Sequence, residues 1–300
     1  MSQVAFVKTK DRTAGVARAL DLLGFRIEHK ERWFVKPNLN SADRAPGSTH
    51  NDVLRAIVSR LKDGGAAQIT VGDRSGMGDT RTVMQQKGIF RLAEELGLRT
   101  VVFDELGAAD WVPFTPPNGH WQRGFAVARP VLEADGVIQA CCLKTHRYGG
   151  HFTLSLKNSV GLVAKTLPGE GYNYMSELHS SPHQRSMIAE INAAYTPDLV
   201  VLDGVEAFAE GGPAQGRHID ADVILASRDR VAIDAVGVAL LRHYGTTPEV
   251  SRGKIFEQEQ IAIAAHLGLG VTLPQQIELV TGDADSEVYA ARIQEILDQG

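Results

Sequence analysis

An apolar run, Val137-Ile138-Gln139-Ala140-Cys141-Cys142-Leu143, leads directly into the polar sequence Lys144-Thr145-His146. A short apolar run of this kind is typical of a buried strand, and charged residues follow where that strand ends. In an open α/β sheet, ligands bind in the crevice beyond the carboxyl ends of the strands. The stretch therefore predicts a strand inside an α/β sheet, with a ligand site at its end.

The same pattern, a strand-like run that ends in polar residues, occurs at three other places in the chain. These are Arg32-Trp33-Phe34-Val35 before Lys36-Pro37-Asn38, Gln68-Ile69-Thr70-Val71 before Gly72-Asp73-Arg74-Ser75, and Leu199-Val200-Val201-Leu202 before Asp203-Gly204. Together the four strand ends supply two lysines, two aspartates and a histidine. We expect these side chains to share one crevice.

Composition limits the class of partner. The formal net charge is −5 and the isoelectric point is near 6.1, which argues against nucleic acid or an anionic membrane surface. No stretch reaches the roughly 18 apolar residues of a membrane span, and the first residues do not form a secretory signal, so a cytoplasmic location is expected. The only cysteines are the neighbours Cys141 and Cys142, so no iron–sulfur cluster is expected from this chain alone.

Predicted strands and helices alternate along most of the chain, which favours a mostly parallel sheet flanked by helices, in a single α/β domain over residues 1–300. Residues 104–130 interrupt this alternation, and their Pro-Pro-Asn-Gly turn predicts an inserted β-hairpin. Three predicted elements bear on the later description: helices over Thr82–Leu96 and Pro182–Tyr195, and a strand over Leu199–Leu202.

The segment from Lys144 to Gly161 has the highest density of reactive side chains. It holds Lys144, His146, His151 and Lys157 around a Gly-Gly break, and the spacing near its end predicts a helix that begins near Phe152. Several cations so close together repel one another unless an anion, a carboxylate or a metal lies among them. We therefore expect a ligand here, although a solvated charged surface is the alternative.

The two earlier loops could contribute to the same site. Lys36 and Asn38 follow one strand, although Lys36 could equally be a solvated lysine. Asp73 and Arg74 begin a loop with three glycines, which could turn backbone amides toward an anion or could be only a tight turn. The glycine spacing matches neither a dinucleotide-binding nor a Walker motif.

Acidic residues and histidines extend this prediction. Asp203 closes a buried strand and needs a partner there, for which Lys144 or Lys157 would serve. The loop Glu210-Gly211-Gly212-Pro213 could reach the same crevice, or could be a simple turn. A divalent metal bound by His146, His151, His179 and His183 is a further possibility, with hydrogen-bonded or solvent-facing histidines as the alternative.

The order of these motifs resembles that of the family known as domain-of-unknown-function family 362. The resemblance covers roughly residues 32–270. Members of that family often carry an additional ferredoxin-like cysteine segment, which this sequence does not contain. It also directs attention to Asp229 and Asp234, for which we predict helix capping. The resemblance rests on Lys36-Pro37-Asn38-Leu39, Gly72-Asp73, Lys144-Thr145-His146, Lys157-Asn158-Ser159-Val160-Gly161, Asp203-Gly204 and Glu210-Gly211-Gly212-Pro213-Ala214-Gln215-Gly216.

The sequence thus favours an enzyme for a small anionic substrate, a carboxylate or a phosphate, with isomerase, racemase or lyase chemistry. The expected catalytic residues are Lys144, His146, Lys157 and Asp203, and the expected binding residues are Lys36, Asn38, Asp73, Arg74, Asn158, Glu210, Gly211 and Gly212. Two alternatives remain open at this point. One is a metal- or anion-binding accessory protein without catalysis, and the other is an electron-transfer partner of a separate iron–sulfur protein.

Overall fold

The computed structural model describes residues 1–27 and 30–300. The strands are β1 (Ser2–Lys8), β2 (Arg32–Lys36), β3 (Gln68–Asp73), β4 (Arg99–Val102), β5 (Trp111–Phe114), β6 (Phe125–Ala128), β7 (Gly136–His146), β8 (His151–Thr153), β9 (Leu199–Gly211), β10 (Gly216–Ser227) and β11 (Ile277–Val280). The α-helices are α1 (Arg12–Leu22), α2 (Asn51–Asp63), α3 (Thr80–Gln86), α4 (Ile89–Leu96), α5 (Arg129–Leu132), α6 (Ser155–Asn158), α7 (Tyr174–Ser180), α8 (Gln184–Ile191), α9 (Arg230–His243), α10 (Pro248–Ser251), α11 (Glu259–His266) and α12 (Ala284–Gln299). None of the helices in these residues has the length and apolar character needed to cross a membrane.

Nine of the described strands form one sheet, in the order β11-β1-β10-β9-β7-β2-β3-β4, with β8 paired to β7. The strands from β9 to β4 in this order run parallel, whereas β10 runs antiparallel to both of its neighbours. The predicted α/β fold with a mostly parallel sheet is confirmed. Because β2, β3 and β7 are parallel, their carboxyl ends meet at the same edge of the sheet.

Helices cover both faces of the sheet, so its strands are buried on two sides. In β1, Val4 and Phe6 belong to one hydrophobic core, and Ala5 and Val7 belong to the other. Successive side chains of a strand point to opposite faces, which explains this alternation. The first core also contains residues of α9 and α12, and the second contains residues of α1 and α2. Burial of each large apolar side chain stabilises the fold by about 1.5–3 kcal/mol.

The predicted hairpin is present but forms a separate sheet. β5 pairs with β6 in antiparallel register, from Trp111 opposite Ala128 to Phe114 opposite Phe125. Its aromatic residues pack in a third hydrophobic cluster, which also contains residues of α7 and α8. This cluster supports the segment that follows α6, at one side of the strand ends.

Three predicted helices differ from the observed ones. The helix predicted over Thr82–Leu96 is divided into α3 and α4 by Gly88, which has a φ of 70°, a left-handed conformation that ends α3. The helix predicted over Pro182–Tyr195 is observed as the shorter α8. It begins only at Gln184, because Pro182 lies in the turn that joins α7 to α8, and it ends at Ile191, where the chain continues as a short 3-10 helix over Asn192–Ala194. The helix predicted near Phe152 begins later, at Ser155, because β8 first pairs back onto β7.

The strand predicted over Leu199–Leu202 is wrong at its carboxyl end. β9 continues through Asp203 to Gly211 and turns into β10, and the two pair from Gly211 opposite Gly216 back to Val200 opposite Ser227. The Asp203-Gly204 pair does not end the strand because β10 pairs along it, and Arg12 provides the partner for the buried carboxylate of Asp203. A buried ion pair of this kind depends on a residue far away in the sequence.

Candidate functional site

Lys36 lies at the end of β2 and forms a buried ion pair with Asp73, the last residue of β3. Lys36 Nζ and Asp73 Oδ1 are 2.8 Å apart. The same ammonium donates to the carbonyl oxygen of Pro37 at 2.6 Å and to Asn158 Oδ1 at 3.0 Å. Burial lowers the pKa of Lys36, and Asp73 offsets this only in part. Three acceptors therefore hold this ammonium in place.

Asp73 connects the loop after β2 to β3. Its carboxylate accepts from the backbone N–H of Leu39 at 2.7 Å and from that of Arg74 at 2.8 Å. A β-carbon at Gly161 would overlap Asp73 Oδ1 and would lie 2.8 Å from Lys36 Nζ. The spacing Asn158-x-x-Gly161 thus places an amide acceptor and a residue without a side chain against the same ion pair.

Lys144 is fully buried near the end of β7 and holds the loop that follows β2. Its ammonium donates to Pro46 O at 3.0 Å, to Asn38 Oδ1 at 3.3 Å and to the carbonyl of Gly47. Burial lowers the pKa of Lys144. Because three acceptors occupy its three N–H groups, Lys144 fixes the cavity wall and has no donor left for a ligand.

Arg74 has a similar anchoring role. Its guanidinium donates to Val163 O at 2.7 Å, to Val160 O at 2.8 Å and to Ser75 O at 3.2 Å. These carbonyls belong to the turn after α6 and to the loop after β3. Arg74 therefore joins two segments of the site and adds a positive charge to its wall.

Lys157 differs from the other two buried lysines. Its side chain projects from α6 and is 9% exposed, and within residues 1–27 and 30–300 its ammonium has no hydrogen bond or ion pair. Burial, together with repulsion from Lys144 and Arg74, lowers the pKa of Lys157 to about 7. Lys157 is therefore the cation of this region that is available to a ligand.

Three polar atoms of residues that line the same cavity as Lys157 are buried without a partner. Asn40 Nδ2, His146 Nδ1 and Thr153 Oγ1 make no hydrogen bond to any part of the chain that the structure describes. Leaving one such group unpaired costs about 1–3 kcal/mol, so each is a strong candidate to bind a ligand. Burial, with repulsion from Lys157 and Lys144, holds the pKa of His146 well below its usual value. Its imidazole is therefore neutral at neutral pH.

These groups line one cavity of about 50 Å³ beyond the ends of β2, β3 and β7, which we call the Lys157 cavity. Ligand sites for drug-sized molecules typically measure about 300–1,000 Å³, so this volume fits a small molecule and not a nucleotide. A depression of about 740 Å³ lies between α1 and α2. We consider the smaller cavity the functional one, because it contains the unpartnered polar groups. Four cations and one carboxylate line it: Lys36, Arg74, Lys144 and Lys157, with Asp73.

The residues predicted on β9 lie away from the Lys157 cavity. Asp203 pairs with Arg12 at 2.7 Å, not with Lys144 or Lys157 as the sequence suggested. Burial raises the pKa of Asp203, and Arg12 opposes that effect. Glu210 pairs with Arg217 across the β9–β10 hairpin at 2.8 Å. These carboxylates stabilise the hairpin and do not contact the buried lysines.

The Gly211-Gly212 turn nevertheless touches the site. A β-carbon at Gly212 would overlap the carbonyl oxygen of Thr145, so the hairpin tip packs directly on β7. The next residue, Pro213, lines the Lys157 cavity. The glycines of this motif thus allow the tip of the hairpin to close one side of the cavity.

The four histidines proposed as metal ligands are not assembled into one group. His146 lies opposite His151 in the β7–β8 pairing, His179 Nδ1 is 2.7 Å from Met175 O, and the ring of His183 stacks on His120. In the part of the chain that the structure describes, no three His, Cys, Asp or Glu side chains are placed to hold a metal ion. The cationic lining of the cavity is also a poor environment for a divalent cation.

Asp229 and Asp234 are helix caps, as predicted. Asp229 accepts from the N–H groups at the start of α9. Asp234 accepts from Ser155 N at 2.8 Å and Leu156 N at 3.0 Å, and thereby fixes the start of α6, the helix that carries Lys157. Burial raises the pKa of Asp234 to about 7.

Sequence reasoning did not single out Asn40 or Thr153 as ligand-binding residues. Asn40 lies in the loop after β2, and Thr153 is the last residue of the short strand β8. A polar residue has an ordinary explanation at both positions, as part of a turn or of a sheet edge. In the sequence, Asn40 lies close to Lys36 and Thr153 lies close to Lys157, but this closeness does not show whether their side chains point into the cavity. Their lack of hydrogen-bond partners is visible only in the folded chain.

Known proteins resemble this chain in sequence and in fold. It is 26% identical over 225 residues to a thylakoid-associated protein of Synechocystis sp., which covers 73% of this chain and 66% of that protein. Two solved structures are similar in part. The lactate racemase apoprotein from Thermoanaerobacterium thermosaccharolyticum has 13% identity and a TM-score of 0.48, over 77% of this chain and 55% of that one. A protein from Thermotoga maritima has 12% identity and a TM-score of 0.45, and the match covers 86% of this chain and 59% of that one.

The chain spans about two thirds of the length of the Synechocystis protein and less of the two solved chains. The family described as "Domain of unknown function (DUF362)" matches residues 34–239, from β2 into α9. This range contains every residue assigned above to the Lys157 cavity. The resemblance seen in the sequence motifs is therefore confirmed, and the chain belongs to the DUF362 family.

Proposed function

We propose that this protein is an enzyme that binds a small carboxylate or phosphate in the Lys157 cavity and transfers a proton to or from it. The observation that carries the proposal is the largely buried Lys157 side chain, whose ammonium has no partner in the described residues and which lines one cavity with three unpartnered polar atoms. Isomerase or lyase chemistry next to a carboxylate would use this set of residues.

Charge supports an anionic ligand. The wall of the cavity carries more positive than negative groups, since Asp73 is its one carboxylate in the described residues and is already paired with Lys36. An anion near Lys157 would relieve the repulsion among the cations. The net charge of −5 for the whole chain means that this positive region is local, which favours a small molecule over nucleic acid.

The pKa values support proton transfer. A general base works best when its pKa lies near the operating pH, and the pKa of Lys157 is lowered to about 7. His146, whose imidazole is neutral, lies in the same cavity and can accept or donate a proton through Nδ1. Two groups of different basicity beside one ligand are a common arrangement for acid–base catalysis.

The test is incorporation of deuterium from D2O into small carboxylates, followed by NMR, because this detects proton transfer without knowledge of the final product. We expect exchange at the carbon next to the carboxylate or, in a 2-oxo acid, at the carbon next to the carbonyl group. The rate should fall as the pH decreases below about 7, since Lys157 must lose its proton to act as a base. Lys157→Met should abolish exchange and leave the fold intact. Lys157 has no ion-pair partner in the described residues, so its removal leaves no buried carboxylate unpaired, and an unpaired buried charge is itself unfavourable.

Lys10→Met is the matched control, because Lys10 is exposed and makes only a 3.6 Å contact with Asp222. This variant should exchange at the wild-type rate. If the wild-type protein binds small anions but exchanges no deuterium, the protein is an anion-binding protein without catalysis and the enzymatic proposal is wrong. If Lys157→Met binds anions as tightly as the wild-type protein does, the anion is not bound in the Lys157 cavity and the proposed site is wrong.

A further inference from the structure

The end of the Lys157 side chain lies beside His146 and Gly150. A β-carbon placed on Gly150 would be 2.6 Å from Lys157 Cε and 3.1 Å from His146 Nδ1. The two side chains thus come close together from α6 and from β7, and both line the Lys157 cavity. An amine and an imidazole are therefore both placed to reach one atom of a ligand.

An amine can act as a nucleophile only when its lone pair is free. Lys36 and Lys144 do not meet this condition, because each ammonium is held by several acceptors. Lys157 does meet it, since no acceptor in the described residues holds its ammonium. Burial beside other cations also disfavours the protonated form, which lowers the pKa of Lys157 to about 7.

The remaining unpartnered atoms suit a carboxylate. Asn40 Nδ2 is a donor, and Thr153 Oγ1 can donate its hydroxyl proton. Both residues line the Lys157 cavity. A carboxylate held by these groups would place an adjacent carbon within the small space next to Lys157, because the cavity measures only about 50 Å³.

We propose that Lys157 is a nucleophile that forms an imine with a small 2-oxo acid. This inference rests on the proposed function and names its substrate class. A 2-oxo acid combines an anionic group and an electrophilic carbon in a very small molecule, as the cavity requires.

The chemistry is balanced without an oxidant or a reductant. The Lys157 nitrogen adds to the carbonyl carbon, and the carbonyl oxygen takes a proton to give a carbinolamine. Loss of water then breaks the carbon–oxygen bond and forms the carbon–nitrogen double bond. His146 moves the protons for these two steps. The imine withdraws electrons from the carbon on the side away from the carboxylate, which is the methyl carbon of pyruvate. A proton there is released more readily, and Nδ1 of His146 accepts it.

The test is trapping with borohydride, which reduces an imine to a stable secondary amine. Purified protein is treated with pyruvate or glyoxylate and borohydride, and the modified residue is located by peptide mass spectrometry. We expect modification at Lys157, with Lys36, Lys144 and the exposed Lys10 unmodified. Lys157→Arg keeps a positive charge but lacks a nucleophilic amine, so it should show no modification in the cavity.

The inference is overturned if neither pyruvate nor glyoxylate modifies Lys157, or if Lys10 is modified to the same extent. Deuterium incorporation distinguishes this failure from failure of the proposed function. Exchange without a trapped adduct means that Lys157 acts as a base and not as a nucleophile. A trapped adduct at Lys157 alone supports the imine. Gly150→Ala should also prevent trapping, because its β-carbon would occupy the space beside Lys157 Cε.

Discussion

Lys36, Lys144 and Lys157 are three buried lysines around one small cavity, and their surroundings give them different roles. Lys36 is paired with Asp73, and Lys144 is surrounded by carbonyl and amide oxygens. Lys157 has neither kind of partner within the described residues. The sequence predicted a catalytic role for both Lys144 and Lys157 and a binding role for Lys36. The pattern of acceptors instead separates Lys36 and Lys144, which are held in place, from Lys157, which is not.

Asp203 shows the opposite case, in which a predicted catalytic residue is stabilised by a distant partner. Arg12 donates to Asp203 Oδ2 at 2.7 Å and to Glu206 Oε2 at 2.6 Å. Its side chain is only 11% exposed, so solvent screens the interaction weakly. The sequence could identify Asp203 as a buried carboxylate that needs a cation, but not which cation would reach it from 191 residues away.

We expect Arg12→Met to destabilise the protein by about 3–5 kcal/mol at neutral pH, because it leaves Asp203 buried and unpaired. The pKa of Asp203 is raised in the folded state, so the folded chain binds a proton more readily than the unfolded chain. The loss should therefore become smaller as the pH falls and Asp203 becomes neutral. Chemical denaturation at neutral and acidic pH measures both effects.

Arg18→Met is the control. Arg18 lies on the same helix as Arg12, and its ion pair with Asp283 is much more exposed. That variant should lose no more than about 1 kcal/mol. Equal losses in the two variants, or a deficit in Arg12→Met that does not change with pH, would contradict the role assigned to Arg12.

At the scale of elements, the loop between β2 and α2 depends on contacts with other parts of the chain. Lys144 binds its carbonyls from β7, and Asp73 binds Leu39 N from β3. Thr49 Oγ1 donates to Ala140 O at 2.9 Å. This loop carries Asn38 and Asn40 and so forms one wall of the Lys157 cavity. Its order therefore depends on buried polar contacts, since it contains no helix or strand of its own.

Lys144→Met should therefore release residues 38–47 while the sheet remains folded. The three acceptors of the ammonium would lose their donor, and the methionine side chain cannot replace it. We expect faster amide hydrogen exchange in this loop, measured by mass spectrometry, with little change in β1 or β11. Lys62→Met, an exposed change on α2, is the control. Unchanged exchange of residues 38–47 in Lys144→Met would show that Lys144 does not hold the loop.

The elements that sequence predicted well are those with a strong apolar pattern. β2, β3 and β7 form where the sequence placed strands, and they bring Lys36, Asp73 and Lys144 together, although they extend one, two and three residues beyond the predicted ends. The parts that it missed depend on how neighbouring segments pair in hairpins, which the apolar pattern of a single strand does not show. The extension of β9 needs β10 as a partner, and β8 forms only because the chain reverses onto β7.

At the scale of the whole molecule, the site joins segments that are far apart in sequence. Residues after β2, β3 and β7 line the Lys157 cavity together with α6 and the tip of the β9–β10 hairpin. A ligand bound there contacts several elements that separate when the chain unfolds. Its binding energy should therefore appear as stability of the entire fold.

We expect small 2-oxo acids to raise the melting temperature of the wild-type protein. At a ligand concentration of about 100 times Kd, the added stability is about 2.7 kcal/mol, which corresponds to several degrees for a chain of this size. Differential scanning calorimetry measures the shift, and Lys157→Met should show almost none. An equal shift in both proteins would place the binding energy outside the Lys157 cavity.

The position of β1 in the sheet has a consequence for how the chain reaches its folded state. β1 is formed by residues 2–8, yet its neighbours are β10 and β11, from Gly216–Ser227 and Ile277–Val280. During synthesis, β1 therefore waits for more than two hundred further residues before either partner exists. Pairing between such distant segments slows folding and leaves an apolar strand exposed in the meantime. We therefore expect β1 to need protection, for example by a chaperone, until β10 and β11 have been made.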